Sequence, residues 1–486
     1  MGAMANRIPI GRPASGAVAP GAAEQGPAVA AEPATSRTVF IETYGCQMNV
    51  SDSELILGIL GPAGYHLAAS AREADIVLLN TCAIREHAEE RVRGRLAELA
   101  GWKRRRPELI LGVLGCMAKH VGKELSADAM AVDVLASPDA YRSLPRLIAA
   151  AAAENALGGT QRDLHLDRGE HYEGVDPVRA GGANAWITIE RGCDKFCTFC
   201  VVPYVRGRER GVPPGEVIRQ VEEHARRGGR EVTLLGQTVN AYRYGDIGFG
   251  DLLARVARVD GIRRVRFTSP HPAEFDAHTL AAMAAHPAIM KHVHLPVQSG
   301  SDRVLAAMRR EYTRTSFLDL VAHMRALMPG ITFTTDVIVG FPGETDDDFA
   351  ATISLLREVR FESAFMFKYS ERAGTVAARE LPETVSEEEK GRRLTQVIDL
   401  VEGIAAERNR AWEGRTAEVL VEGGSRRDPS RLVGRTEHGK AVVFAAAGAR
   451  AGDFVSVRIL SSTSHTLHGE IMERGETWSS RERSLS

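Results

Sequence analysis

The chain has 486 residues, of which 44% are hydrophobic and 26% charged, and a net charge of −2. That length is too great for one compact core, so two or three globular domains are expected, and no apolar run is long enough to span a bilayer. The near-neutral balance excludes a broadly basic nucleic-acid coat, so any contact with RNA must rest on local patches.

Residues 1–36 are rich in Ala, Pro and Gly and hold no long apolar core, so no secretory signal is expected. Their arginines are sparse for an organellar transit peptide, and they carry too little apolar side chain to offset chain entropy, so disorder is expected. A cytoplasmic protein is expected, in a compartment where thiols stay reduced and clustered cysteines point to metal more than to disulfides.

Three segments between residues 37 and 153 share one design. Thr38–Ile41 leads to Cys46, Ile76–Leu79 leads to Cys82, and Leu109–Leu114 leads to Cys116. Short continuous apolar runs, separated by helical stretches such as Ser53–Leu60 and Glu86–Leu99, predict buried parallel strands of an α/β, Rossmann-like domain. In such a sheet the C-terminal strand ends share one edge, where open α/β sheets bind their ligands. Cysteine is often only a small buried hydrophobe, but burial alone would scatter the three rather than place them at equivalent strand ends.

Residues 154–178 read as a linker. From 179 to 411, six strand-like runs alternate with amphipathic stretches such as Pro214–Arg226, Ser316–Leu327 and Thr345–Val359. The runs are Ala185–Glu190, Val232–Leu235, Arg264–Thr268, His292–Val297, Thr332–Val339 and Ala364–Tyr369. Six βα units predict a partial barrel, open because eight would close it. Ser386–Trp412 reads as a long helix, with Ser386 and Glu389 at capping-box spacing.

Five short runs between 412 and 475 predict a small all-β barrel of the oligonucleotide-binding sort, and residues 476–486 a disordered tail. Arg426, Arg427, Arg431, Arg435 and Lys440 gather in the first half of that module and suggest phosphate contact. The tract Lys103–Arg106 reads as ordinary surface.

Cys193-x3-Cys197-x2-Cys200, directly after a strand, is the strongest signal. Three thiolates this close can wrap one corner of a 4Fe-4S cubane and leave the fourth iron open. A structural zinc ion prefers four closed ligands, and this loop offers no fourth cysteine and no histidine. The six cysteines thus divide into two sets of three with none left over, Cys46, Cys82 and Cys116 against Cys193, Cys197 and Cys200.

The loop, with Phe199 before its last cysteine, resembles the radical S-adenosylmethionine (SAM) superfamily. The two cysteine sets resemble the methylthiotransferase family, whose plan is an N-terminal cluster domain, a radical SAM domain and a C-terminal TRAM domain. Thr43-Tyr44-Gly45-Cys46-Gln47-Met48-Asn49, Cys193 to Arg208, and Leu235-Gly236-Gln237-Thr238-Val239-Asn240-Ala241-Tyr242 are similar to its MiaB-type branch, with Thr238 where that branch is expected to have Asn.

The resemblance implies two 4Fe-4S clusters, one for radical chemistry and one auxiliary, with SAM chelated at the open iron of the first. It implies methylthiolation of C2 of N6-isopentenyladenosine at position 37 of tRNA. One SAM would methylate a sulfide of the auxiliary cluster, and a second would be cleaved to a 5′-deoxyadenosyl radical. The implied partners are the tRNA anticodon stem-loop, a flavodoxin-like electron donor and a supplier of sulfur or cluster, around a monomer with no membrane attachment. Gly236 and Gln237, Gln298 and Ser301, and Gly340 and Gly343 fall where the superfamily surrounds SAM, although strand-to-helix turns use such residues anyway. His271 reads as structural rather than as a proton carrier. No catalytic residue is expected beyond the cluster ligands. Two readings stay open beside this one. The first is methylthiolation of threonylcarbamoyl-adenosine in tRNA or of a ribosomal-protein aspartate; the second is a non-enzymatic metal-cluster protein that binds RNA.

Overall fold

The computed structural model describes residues 37–82, 86–127, 131–154, 159–179 and 181–473, so the segments 1–36 and 476–486 that were expected to be disordered lie outside the described residues. The chain forms two units, one reaching to residue 179 and including Val202–Arg208, the other holding 181–201 and 209–473.

The sheet of the first unit has six parallel strands: β1 (Thr38–Tyr44), β2 (His66–Leu67), β3 (Ile76–Thr81), β4 (Ile110–Gly115), β5 (Val134–Ala136) and β6 (Gln161–Asp163). Their spatial order is β2-β1-β3-β4-β5-β6. Both faces are covered, which is why β3 and β4 read as unbroken apolar runs rather than as alternation. Ile76, Leu78, Ile110 and Leu114 enter one core with helix α1 (Gln47–Leu60), while Val77, Leu79, Leu111 and Val113 enter the other with helix α2 (Glu86–Lys103). Helix α3 (Cys116–Ala127) begins directly at the end of β4, and α4 (Leu144–Glu154) packs on the first face.

The stretch expected to be a linker belongs to this unit. It supplies β6, and Tyr172 and Val175 join the core, with the Tyr172 hydroxyl donating to the Pro138 carbonyl at 2.8 Å. A three-residue polar edge strand, Gln-Arg-Asp, has no apolar run to announce it.

The second unit holds the expected six parallel strands, in two ladders of three. One joins β7 (Asn184–Thr188), β10 (Glu231–Leu235) and β13 (Arg264–Phe267); the other joins β14 (His292–His294), β15 (Thr332–Val339) and β16 (Ser363–Lys368). One apolar core runs across both. Two short antiparallel pairs decorate the loops, β8 (Glu190–Arg191) with β9 (Arg210–Gly211), and β11 (Arg243–Tyr244) with β12 (Ile247–Gly248). Helix Glu387–Arg410 follows, capped by Ser386, whose hydroxyl accepts from the Glu389 backbone N–H at 3.2 Å.

The final five strands, β17 (Thr416–Gly424), β18 (Arg431–Thr436), β19 (Ala441–Ala445), β20 (Phe454–Ser462) and β21 (Leu467–Glu473), close into a barrel in the order β17-β18-β19-β21-β20. This module is not tethered loosely. Arg264, only 2% exposed at the start of β13, donates to the carbonyls of Arg435 at 2.6 Å and Glu418 at 3.1 Å. Arg266 donates to the Thr436 carbonyl at 2.9 Å, Thr332 donates to the His438 carbonyl at 3.1 Å, and Gly439 lies against the His292 ring. All four partners stand at or near the beginnings of parallel strands, so the β18–β19 turn closes the N-terminal end of the partial barrel.

Candidate functional site

In the first unit the strand order fixes where a ligand can sit. A doubly wound sheet opens a crevice at the C-terminal ends of the strands where the order reverses, here between β1 and β3. Cys46 follows β1, Cys82 follows β3, and Cys116 follows the neighbouring β4. Gly45 turns the chain with φ 155°, and a Cβ there would come within 2.2 Å of the Asn49 side chain and 2.8 Å of the Cys82 Cβ. Gly115 has φ 87°, and a Cβ there would strike the Thr81 carbonyl at 2.7 Å. Glycine is therefore required where the backbone delivers two of the three thiols.

Buried amides stitch these loops together. The Asn49 side chain accepts from the Cys46 N–H at 3.3 Å and donates to Asn80 Oδ1 and the Thr81 carbonyl, each at 3.2 Å. Asn80 donates back to the Asn49 carbonyl at 2.8 Å and to Ser53 Oγ at 2.9 Å. A hydrogen bond with Cys82 draws the Cys46 thiol below its ordinary pKa, to about 6, helped by the Arg206 cation and opposed by burial. Cys46 caps α1 and Cys116 opens α3, so both lie at helix N-termini, which favour anionic sulfur, while burial pushes the Cys116 thiol up.

In the second unit, Cys193, Cys197 and Cys200 follow β8 in a loop held by Thr198. Its N–H donates to the Met308 carbonyl at 3.1 Å, and its hydroxyl donates to the Ala307 carbonyl at 2.9 Å. Cys193 Sγ lies 3.1 Å from the Thr238 hydroxyl, so the residue that departs from the expected Asn meets the first cysteine directly. Burial pushes the Cys193 thiol up to about 11. Cys197 Sγ accepts from Arg310 Nη1 at 3.3 Å, and Phe199 meets Phe341 edge-on at 6.5 Å.

Around this loop, among the described residues, the buried atoms Gln237 Oε1 and His271 Nε2 lack partners, while the buried Glu190 carboxyl lies against Glu209, which with burial pushes its pKa well up. A Cβ on Gly236 would stand 2.9 Å from Glu190 Oε2. Gln298 holds φ 64°, a strained conformation for a residue other than glycine, as β14 gives way to the following helix. Ser301 caps that helix, and its hydroxyl donates to Asp348 Oδ1 at 2.5 Å. Gly340 and Gly343 have φ 71° and 82°; the Gly340 N–H donates to Glu344 at 2.6 Å and the Gly343 carbonyl accepts from Arg303 at 2.6 Å. Gln237 thus presents an unpaired atom, while Ser301, Gly340 and Gly343 have roles in turns and caps. His271 Nδ1 accepts from the Ala273 N–H at 3.3 Å, and burial beside Arg310 and Lys195 lowers its pKa to about 2.

The Cys193 set suits a cubane. Among the described residues no three His, Cys, Asp or Glu side chains gather tightly enough for a single metal ion. A 4Fe-4S cluster asks for something different, since each cysteine binds its own iron and the sulfurs stand apart. Buried atoms without partners around the second triad are what a polar ligand would satisfy.

Residue spacing did not disclose the pairing of Asp52 with Arg206, and it placed β16 without showing that its aromatic side chains are exposed. Asp52 and Arg206 are 154 positions apart in the chain yet 2.8 Å apart in space. Phe365 and Phe367 on β16 are 57% and 38% exposed and pair in register with Asp336 and Ile338. The Phe365 ring lies edge-on to His294 at 5.8 Å. Lys440, expected to contact phosphate, is instead buried and paired with Glu362 and Asn409.

Comparison with known proteins matches three segments of the chain to families. Residues 38–137 match the family described as Uncharacterized protein family UPF0004, 187–356 the Radical SAM superfamily, and 410–472 the TRAM domain. The tRNA-2-methylthio-N(6)-dimethylallyladenosine synthase of Porphyromonas gingivalis (strain ATCC BAA-308 / W83) is 46% identical over 453 residues, covering 91% of this chain and 96% of the relative. The protein of the same name from Chlorobium luteolum is 47% identical over 437 residues, 89% of this chain and 97% of the relative. Among solved structures, the radical SAM methyltransferase TsrM from Kitasatospora setae superposes with a TM-score of 0.52 at 15% identity, over 68% of this chain and 73% of that one. The cobalamin-dependent radical enzyme OxsB gives 0.51 at 13% identity, over 76% and 56%; both likenesses are of fold alone. No helix among the described residues is long and apolar enough to cross a membrane.

Proposed function

The chain belongs to the tRNA-2-methylthio-N(6)-dimethylallyladenosine synthase family, and from that premise we propose that it inserts a methylthio group at C2 of N6-isopentenyladenosine at position 37 of tRNA. The observation that carries the reading is the division of all six cysteines into two triads, each at strand ends where its fold binds ligands. Cys193, Cys197 and Cys200 would hold the cluster that binds SAM, and Cys46, Cys82 and Cys116 an auxiliary cluster. When bound, these groups supply the radical that removes hydrogen from the adenine C2 and the methylthio group that replaces it.

The chain's own residues bind and orient. Gly236 leaves space beside Glu190, whose carboxyl is pushed well above the usual carboxylate range by burial and by the neighbouring Glu209, and Gln237 offers an unpaired acceptor to the SAM ammonium group. Gln298, Ser301, Gly340 and Gly343 would border the bound SAM from the ends of neighbouring strands. His271 stays neutral, which suits packing and not proton transfer. The substrate base would lie against Phe365 and Phe367, since unpaired bases are held by stacking on aromatic side chains. The electron comes from an external flavodoxin-like donor and the sulfur from a separate supplier, to a monomer in the cytoplasm.

Two triple variants test the assignment. The reconstituted chain is expected to hold about eight irons, four per cubane. Changing Cys193, Cys197 and Cys200 to Ala should leave about four and abolish 5′-deoxyadenosine formation. Changing Cys46, Cys82 and Cys116 should keep SAM cleavage and stop methylthiolation of isopentenylated tRNA. Zinc without iron in anaerobically purified protein would overturn the reading.

A further inference from the structure

The short helix α5 (Val202–Arg206) follows Cys200 in the chain but belongs to the first unit, and it ends in a buried arginine. Arg206 is 5% exposed; its Nε lies 3.2 Å from Cys116 Sγ and its Nη2 lies 2.8 Å from Asp52 Oδ2. Asp52 is fully buried on α1, and the Tyr141 hydroxyl approaches the same oxygen at 3.4 Å. The second triad has a related contact with one difference. Arg310 donates to Cys197 Sγ at 3.3 Å and to the Tyr312 hydroxyl at 3.1 Å, and it makes no ion pair among the described residues. One cysteine set therefore faces a compensated arginine, the other an uncompensated one.

Burying two charges is expensive, and a pair with no task beyond tethering a five-residue helix could be replaced by apolar packing at little loss. The contact with a ligand sulfur gives this pair a task. Reducing a 4Fe-4S cluster by one electron adds one negative charge, and hydrogen bonds to its sulfurs together with nearby charge set the potential at which this happens. A guanidinium against Cys116 favours the reduced form; a carboxylate on the far side of that guanidinium opposes it.

We propose that Asp52 and Arg206 are positioning residues that set the reduction potential of a cluster held by Cys46, Cys82 and Cys116, with Arg206 raising it and Asp52 holding it down. The inference rests on the auxiliary cluster proposed above. Its consequence is a partition of electrons: the uncompensated Arg310 draws the donated electron toward the cluster that cleaves SAM, while Asp52 keeps the sulfur-carrying cluster oxidised.

The test uses the full chain with Cys193, Cys197 and Cys200 changed to Ala, so that the remaining iron belongs to the first triad. Each variant is reconstituted anaerobically, its iron counted, and its one-electron reduction followed by electron paramagnetic resonance in a potentiometric titration with dithionite. Asp52→Asn, nearly isosteric, leaves Arg206 uncompensated and should raise the potential by at least a tenfold change in the reduction equilibrium, about 59 mV. Adding Arg206→Met to Asp52→Asn removes the cation without stranding a buried carboxylate, and should lower the potential by a similar factor relative to Asp52→Asn alone. Arg206→Lys keeps the charge and should titrate close to the parent. A purely structural pair would not move the potential in opposite directions, so coincident titrations, or a fall in Asp52→Asn, overturn the proposal. A parent that holds no iron overturns the auxiliary cluster itself, a result read from the metal count alone.

Discussion

Replacing Arg426 and Arg427 by Gln should flatten the salt dependence of tRNA binding. Of the five cations gathered in the first half of the C-terminal barrel, Lys440 is buried against Glu362, Arg435 pairs with Glu422 at 2.9 Å and Arg431 with Asp428 at 3.7 Å. Arg426 and Arg427 are neighbours in the chain and both exposed on the turn between β17 and β18, where phosphate can reach them. Each phosphate neutralised contributes about 0.7 to 0.9 to the slope of log affinity against log salt, so losing both should reduce the slope by about 1.4 to 1.8. Raising salt about fourfold, from about 50 to about 200 mM, would then cost the parent about tenfold more affinity than the variant. Fluorescence anisotropy with a labelled anticodon stem-loop, titrated at several salt concentrations, reads this directly. Substitution is preferable to deleting the barrel, because the β18–β19 turn closes the end of the middle domain and its removal would expose Arg264 and His292. Equal slopes for parent and double variant would refute the reasoning and move the RNA grip elsewhere.

Three further outcomes are expected. Phe365→Ala should weaken binding of isopentenylated stem-loop by about 1–3 kcal/mol, the usual worth of one base stacked on an aromatic ring, measured in the same anisotropy assay. Arg264→Met removes two charge-assisted bonds to carbonyls of the barrel but also relieves a buried cation, whose pKa burial lowers to about 10, so a net destabilisation of about 2 kcal/mol is expected; limited proteolysis should release the C-terminal fragment sooner. His271 has a folded-state pKa far below its unfolded value, so the unfolded chain takes up the extra proton, and stability present above pH 6.5 is lost as the pH falls below it. Between about pH 7 and about 5.5 this should cost about 1.3 kcal/mol, and thermal unfolding of His271→Gln should lack that part of the acid sensitivity.

Much of this architecture is legible in the sequence because its strands are buried on both faces. Ile76–Leu79 and Ile110–Leu114 are apolar runs that end within a few positions of cysteines, so both the sheet and the edge it presents can be read directly. The Cys193 loop is legible for a different reason: its ligands are contiguous. Elements that depend on distant partners were hidden. Gln161–Asp163 is a strand only because β5 offers it a free edge, and Tyr172 is core only because Pro138 offers it a carbonyl. Asp52 reads as a polar residue near a helix start until Arg206 arrives from another part of the chain. Lys440 shows the opposite error, since its charge reads as surface while Glu362 and Asn409 hold it inside. Counting charges along the chain cannot tell a solvated cation from a neutralised one.

The bonds from Arg264, Arg266 and Thr332 to the β18–β19 turn give the terminal barrel a fixed bearing on the middle domain. A module on a flexible leash would raise the local concentration of RNA without choosing among its nucleotides. Anchored this way, it would act on a bound RNA as a calliper. An RNA gripped at the β17–β18 turn would be held at a set span from the C-terminal strand ends of the partial barrel, and the nucleotide that reaches them would be selected by length along the fold before any base is read.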